Sequence, residues 1–429
     1  MRTDYDVSCR ANCCIIAENS LLLHRKGAVA TETTNKKLLK MQKNTTSSAT
    51  FADTKPHYEL LDGLRGVAAL LVVFYHIFEG FSFAELTNAA GDGVISTLNH
   101  GHIAVDFFFM LSGFVISYAY DDRWGKMSIG DFFKRRLVRL HPMVVMGALV
   151  GVATFVAAGC RQWDGTVTPV SYVLMALVLT MFMVPALPGL PYEVRGNGEM
   201  FPLNGPAWSL FFEYVGNILY ALFIRRLSTK ALAILAAALG VAHAFFFVGD
   251  VSGYGCVGVG WTIDSVNFFG GLVRMLFPFT VGMLLARTFV PRKVNGAFWV
   301  CTILLVAIFS VPYIASAGSV SLNSLYEVIC IALLFPLIVW MGACGTCGGS
   351  FTGRVSKLLG DLSYPLYIVH YPIMYLFYAW LIEEKHYTLG ETWAVSAMVV
   401  AASILLAFLL LKLYDEPVRR YLAGKFLKR

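Results

Sequence analysis

Residues 58–82 read YELLDGLRGVAALLVVFYHIFEGFS, and the reading of this stretch decides the rest of the chain. Arg65 stands just before a run of apolar residues, and His76 interrupts that run eleven positions later. In a helix, eleven steps of 100° make about three turns plus 20°, so both side chains fall on one face. A rise of 1.5 Å per residue separates them by ~16 Å, roughly half of a ~30 Å hydrocarbon core. One helix thus carries a cation at a membrane boundary and, on the same face, an imidazole deep in the bilayer. An ionisable group at that depth costs a few kcal/mol and marks a functional-site candidate.

Composition extends this reading to the whole chain. Of 429 residues, 57% are hydrophobic and only 14% charged, with a mean hydropathy of +0.64. A soluble protein carries about 25% charged residues. The pattern predicts an all-α, polytopic transmembrane bundle. The net charge of +7 acts through its placement in loops, not as a nucleic-acid footprint. The nine cysteines are scattered, and the single Cys344-x-x-Cys347 pair lacks the second pair or histidines of a metal site. No metal is expected.

Residues 1–56 are polar, lack the apolar run of a signal peptide, and read as a disordered cytoplasmic tail. Met41 is an alternative start, which would leave 1–40 untranslated. The membrane domain is expected over 57–423, followed by a short basic tail, 424–429. Eleven apolar segments follow one another: 64–81, 102–120, 142–159, 170–187, 207–224, 231–248, 270–290, 297–315, 322–341, 359–382 and 391–413. The positive-inside rule places the basic loops 121–141, 225–230, 291–293, 354–357 and 414–429 in the cytoplasm. The interval 142–224 holds three segments where two are needed. One of 142–159 and 170–187 is therefore expected not to cross, leaving about ten spans with both termini inside.

That topology places His76, Asp106, Glu213 and His370 in the outer half of the bilayer, and Arg65, Arg136 and Arg139 at the cytoplasmic boundary. Adjacent antiparallel spans share depth, so His76 and Asp106 are expected to meet. A buried histidine beside a carboxylate is a general base, its tautomer fixed and its imidazolium stabilised. The plainer alternative is a polar pair bonding two helices. Glu213 stands with them as a catalytic candidate. Arg136 and Arg139, at i and i+3, present two guanidiniums on one face, suited to a phosphorylated ligand, or serve only as topology residues beside lipid phosphates. Arg274 and Glu327, near the outer ends of their spans, are candidates for lining a substrate entrance. Cys160 and Cys256 both fall outside, where a disulfide is allowed. No P-loop, dinucleotide fingerprint or H-E-x-x-H motif occurs.

Six stretches in order resemble the motifs of the acyltransferase 3 family of membrane acyltransferases: LDGLRGVAALLVVFYH, VDFFFMLSGFVIS, RRLVRLHP, PAWSLFFEY, GDLSYPLYIVHYP and DEPVRRYL. The resemblance runs from about residue 58 to 423. It implies a ten-span enzyme taking an acyl group, usually acetyl from acetyl-CoA, on the cytoplasmic side. The acceptor it implies is a hydroxyl, most often on a saccharide or lipid-linked saccharide. The family's arginine and histidine separated by ten residues fall on Arg65 and His76, and its paired arginines on Arg136 and Arg139. Asp106 and Glu213 lie inside matching motifs, as do His370 and Ser363, read as substrate-binding candidates with Arg274 and Glu327. The expected chemistry is acyl-CoA docking on Arg65, Arg136 and Arg139, with His76 and Asp106 deprotonating the acceptor. A transient acyl-histidine is the alternative. The competing class is a proton-coupled transporter, which also needs intramembrane ionisable residues.

Overall fold

The computed structural model describes residues 58–90, 99–314, 321–345 and 349–427. The expected tail 1–56 and Cys347 lie outside these residues. Among them, helices follow in the order α1 Glu59–Thr87, α2 Ala104–Tyr120, α3 Ile129–Ala157, α4 Val170–Met181, α5 Ala207–Leu222, α6 Thr229–Val248, α7 Ser265–Thr288, α8 Ala297–Phe309, α9 Leu322–Cys344, α10 Ser350–Glu384 and α11 Leu389–Phe426. A π-helical turn interrupts α9 at Cys330–Leu334 and α11 at Leu411–Asp415. The protein is an all-α, multi-pass helical bundle, with nine helices among the described residues long and apolar enough to cross a membrane.

Of the two doubtful segments in the 142–224 interval, one is long and one short. Residues 142–159 belong to the 29-residue α3, started by a capping box between Ser128 and Asp131. By contrast α4 has 12 residues, about 18 Å of helix against a ~30 Å core. The 297–315 segment also shortens, to the 13 residues and about 20 Å of α8, so among the described residues length leaves nine long helices where about ten spans are expected.

α1 runs through the middle of the bundle and packs along α10. The two backbones come close where α1 has glycine: a Cβ on Gly66 would lie 2.1 Å from the Leu359 carbonyl oxygen. α2 and α7 interlock the same way, with a Cβ on Gly113 falling 2.0 Å from the Phe279 carbonyl. Small residues at such crossings let van der Waals packing hold helices together where lipid is as apolar as leucine. Cys160 and Cys256 are free thiols, so no disulfide joins them.

Candidate active site

Two cavities meet along α1. The first, about 350 Å³, lies at its N-terminal end and is lined by Arg65, Arg136, Arg139, Lys357 and Arg419 together with five carboxylates. Most of these charges are matched. Arg65 pairs with Asp62 at 3.1 Å and donates from Nε to the Ser363 hydroxyl at 2.9 Å. Arg136 reaches Glu213 at 2.6 Å, Lys357 reaches Asp361, and Arg419 reaches Asp415. Arg139 is exposed into this space, and among the described residues no carboxylate lies within ion-pair distance of it. Its guanidinium is the cation left for an incoming anion.

The second cavity, about 260 Å³, holds His76, Glu79, His102, Glu199 and an aromatic wall that includes Trp163, Trp208, Trp261, Tyr371, Tyr375 and Tyr378. His76 Nδ1 lies 2.7 Å from the Glu79 carboxylate. Glu79 is fixed in turn by hydroxyls that donate to it, Tyr378 at 2.8 Å, Tyr75 at 3.3 Å and Tyr371 at 3.4 Å. A carboxylate accepts only, so the hydrogen of a neutral His76 sits on Nδ1 and Nε2 keeps its lone pair. The Tyr371 ring packs edge-on against His76 at 4.7 Å, and the His370 ring lies 5.2 Å away. His370 is fully buried, donating from Nδ1 to the Leu366 carbonyl at 3.0 Å. The loop before α5 closes this cavity through Glu199, which accepts from the Tyr375 hydroxyl and from Asn197 at 2.8 Å. Arg195 stacks over the Tyr375 ring at 3.4 Å. Burial pushes the Glu199 carboxyl up to about 7, against the opposing pull of Arg195 and the Tyr375 bond. Val105 and Tyr367 line both cavities.

Three expectations are corrected. Asp106 does not orient His76: it is fully buried against Arg274, which donates to it from Nε at 3.1 Å and from Nη2 at 2.9 Å. Arg274 also bonds the carbonyls of Val259 and His102 at 3.1 and 2.9 Å. Shared depth brought Asp106 to the right level, but its direction around α2 points it at α7. Glu213, expected in the outer half, sits instead in the first cavity with the boundary residue Arg136, and accepts from the Ser112 hydroxyl at 2.8 Å. Glu327 lines no entrance, being fully buried behind His102. Ser363 stands beside Arg65, and Arg274 borders the second cavity. The partner that sequence reasoning missed, Glu79, lies inside the stretch quoted first. Its i, i+3 spacing from His76 is the signal that finds it.

A family model described as an acyltransferase domain matches residues 58–412. The chain belongs to the acyltransferase 3 family. It is 26% identical over 390 residues to the acyltransferase MdmB of Streptomyces mycarofaciens, covering 85% of this chain and 92% of that one. It is 35% identical over 202 residues to protein 2 in the picA locus of Rhizobium radiobacter, covering 44% of this chain and 95% of that one. No solved structure matches it. The chain is thus a multi-pass membrane acyltransferase.

Proposed function

We propose that the chain transfers an acyl group, acetyl in the simplest case, from acyl-CoA to a hydroxyl of a saccharide or other membrane-side acceptor. The observation that carries this reading is the pair of abutting cavities. One is lined by paired charges with an uncommitted guanidinium, the other aromatic with an oriented imidazole, and the two share the wall of Val105 and Tyr367. Arg139, flanked by Arg65 and Arg136, takes the phosphates of the donor. The ~16 Å between Arg65 and His76 along α1 suits the pantetheine arm, which brings the thioester to the second cavity. By the positive-inside rule the charged cavity and both termini face the cytoplasm, of the inner membrane if the cell is bacterial.

His76, held by Glu79, acts as general base. Nε2 takes the acceptor proton, the hydroxyl oxygen bonds to the thioester carbon, and the carbon–sulfur bond breaks. The imidazolium then returns its proton to the departing thiolate, which leaves free CoA and the ester. Glu79 keeps the ring in the Nδ1–H tautomer and offsets the charge it gains. Aromatic faces such as Trp163 and Trp261 suit stacking against a sugar ring.

The test uses purified protein in detergent with acetyl-CoA and a panel of sugar and lipid-linked sugar acceptors. Free CoA is followed with a thiol reagent for the wild type and His76→Ala. Acceptor-dependent release lost in the variant supports the reading. A folded, donor-binding His76→Ala that transfers at the wild-type rate overturns it. Solute flux through proteoliposomes with no CoA release would favour the transporter instead.

A further inference from the structure

A second histidine–carboxylate pair faces the aromatic cavity. His102 lines it with 16% of its side chain exposed, and its Nε2 lies 2.9 Å from Glu327, whose side chain is wholly inaccessible. Glu327 is not a carboxyl left to chance. It accepts the Val257 backbone N–H at 2.7 Å and the Asn323 amide at 2.9 Å. An ionised group so deeply buried must be offset by a nearby charge.

His100 supplies it. Its Nδ1 lies 2.8 Å from the Val311 carbonyl and its Nε2 2.8 Å from Asn323 Oδ1. The Asn323 amide cannot be turned round. Its nitrogen donates to Gly255 and Glu327, and its oxygen accepts from the Ile314 N–H. Both ring nitrogens of His100 therefore face acceptors, the arrangement of a doubly protonated ring, and that ring stands 3.7 Å from Glu327. The nearer ring, His102, turns its Nε2 to the carboxylate, so in a neutral His102 whose hydrogen faces Glu327 the Nδ1 keeps a lone pair. Among the described residues Nδ1 has no partner. The other groups around the ring are Tyr75, 5.5 Å away, and Arg274, which holds the His102 carbonyl.

We propose that His102, oriented by Glu327, contacts the acceptor directly, its Nδ1 accepting a hydrogen bond from a second hydroxyl while the reacting hydroxyl faces His76. This rests on the acyl-transfer reading above. The Tyr75 ring packs against both imidazoles, 5.1 Å from His76 and 5.5 Å from His102, and both line one cavity, so the paired acceptors suit a substrate with two hydroxyls. A single-hydroxyl alcohol fills only one of them.

Two arms test this. Diethyl pyrocarbonate acylates accessible, unprotonated imidazole nitrogens, and peptide mapping by mass spectrometry reads the modified residue. On the full chain in detergent, His76 and His102 should both be labelled while His100 is spared. Labelling of His76 with His102 untouched would overturn the proposal. The second arm measures CoA release with octyl β-D-glucopyranoside and with 1-octanol as acceptors. The glucoside should be preferred in the wild type. His102→Phe should raise its KM about tenfold, ~1.4 kcal/mol, with the KM for acetyl-CoA unchanged, and His102→Gln, which keeps an acceptor atom, should recover part of that loss. An unchanged glucoside KM in His102→Phe would refute the contact. If neither acceptor is used by the wild type, or His102→Phe fails to fold, labelling repeated with and without octyl β-D-glucopyranoside still decides the proposal: protection of His102 by the glucoside supports the contact, and unchanged labelling overturns it. Absence of turnover counts against the acyl-transfer reading alone.

Discussion

Removing the Asp106 carboxylate tests whether it clamps two helices or serves the chemistry. Asp106→Ala would leave the Arg274 guanidinium, 2% exposed, with only the Val259 and His102 carbonyls as acceptors. At 2.9 Å and an effective dielectric of 20, the lost attraction is about 6 kcal/mol. Desolvation offsets part of that, and breaking a buried pair by removing one partner costs about 3–5 kcal/mol. Against a total stability of roughly 5–15 kcal/mol, that is a large share. The expected outcome is a lower unfolding midpoint and a smaller monodisperse fraction in detergent for Asp106→Ala. The double variant Asp106→Leu with Arg274→Met removes both charges and should regain most of the stability, because the unpaired cation, not the missing contact, carries the cost. Turnover per folded molecule of Asp106→Ala should stay within an order of magnitude of the wild type. Wild-type stability with turnover abolished would refute this reasoning and restore Asp106 to the reacting centre.

Glu79→Gln keeps the size of the side chain but no longer fixes the His76 tautomer. CoA release should fall by about 10⁴, as for loss of the orienting carboxylate in a catalytic triad, with donor binding retained. Arg139→Ala should raise the KM for acetyl-CoA by about 10- to 100-fold, the ~1.5–3 kcal/mol of a charged hydrogen bond, and weaken its dependence on salt. Glu199 carries a pH signature. Its carboxyl rises from 4.5 to about 7 on folding, so the folded state holds a proton that the unfolded chain has released. Its contribution is full below pH 4.5 and is lost as the pH rises through 7, about 3 kcal/mol in all. Glu199→Gln should flatten the stability profile across that window, measured by denaturant unfolding, and an unchanged slope would count against the shift.

The helical bundle was legible because apolar runs and basic loops are one-dimensional signals, and depth follows from counting residues. Direction around a helix axis is not. Asp106 was placed at the right depth but turned toward Arg274, whereas for Glu213 the count itself failed: α3 begins at Ile129 rather than near 142, and its Arg136 meets Glu213 at one level. Arg65, Arg136 and Arg139 came together as expected, since a boundary is a depth and little else. Glu79 was readable from its spacing to His76 alone, but the long-range partner assigned to that ring obscured the local one. His102 stood within HGHIAVD, and its carboxylate lies over two hundred residues away, beyond any local pattern.

The packing of α1 against α10 has a consequence for biosynthesis. The hydrogen bond from Arg65 to Ser363 spans 298 residues, and that from the Tyr378 hydroxyl to the His76 carbonyl spans 302. At ribosomal rates of about 5–20 residues per second, α1 waits some 15–60 s for its partner to emerge. During that interval the nascent helix must lodge in lipid with two cationic or titrating groups and no neighbour to receive them. It carries its own neutralisation: Asp62 sits one turn from Arg65, and Glu79 one turn from His76. Each pair closes within the helix, so the reactive ring is shielded by local chemistry before the tertiary structure that will use it exists.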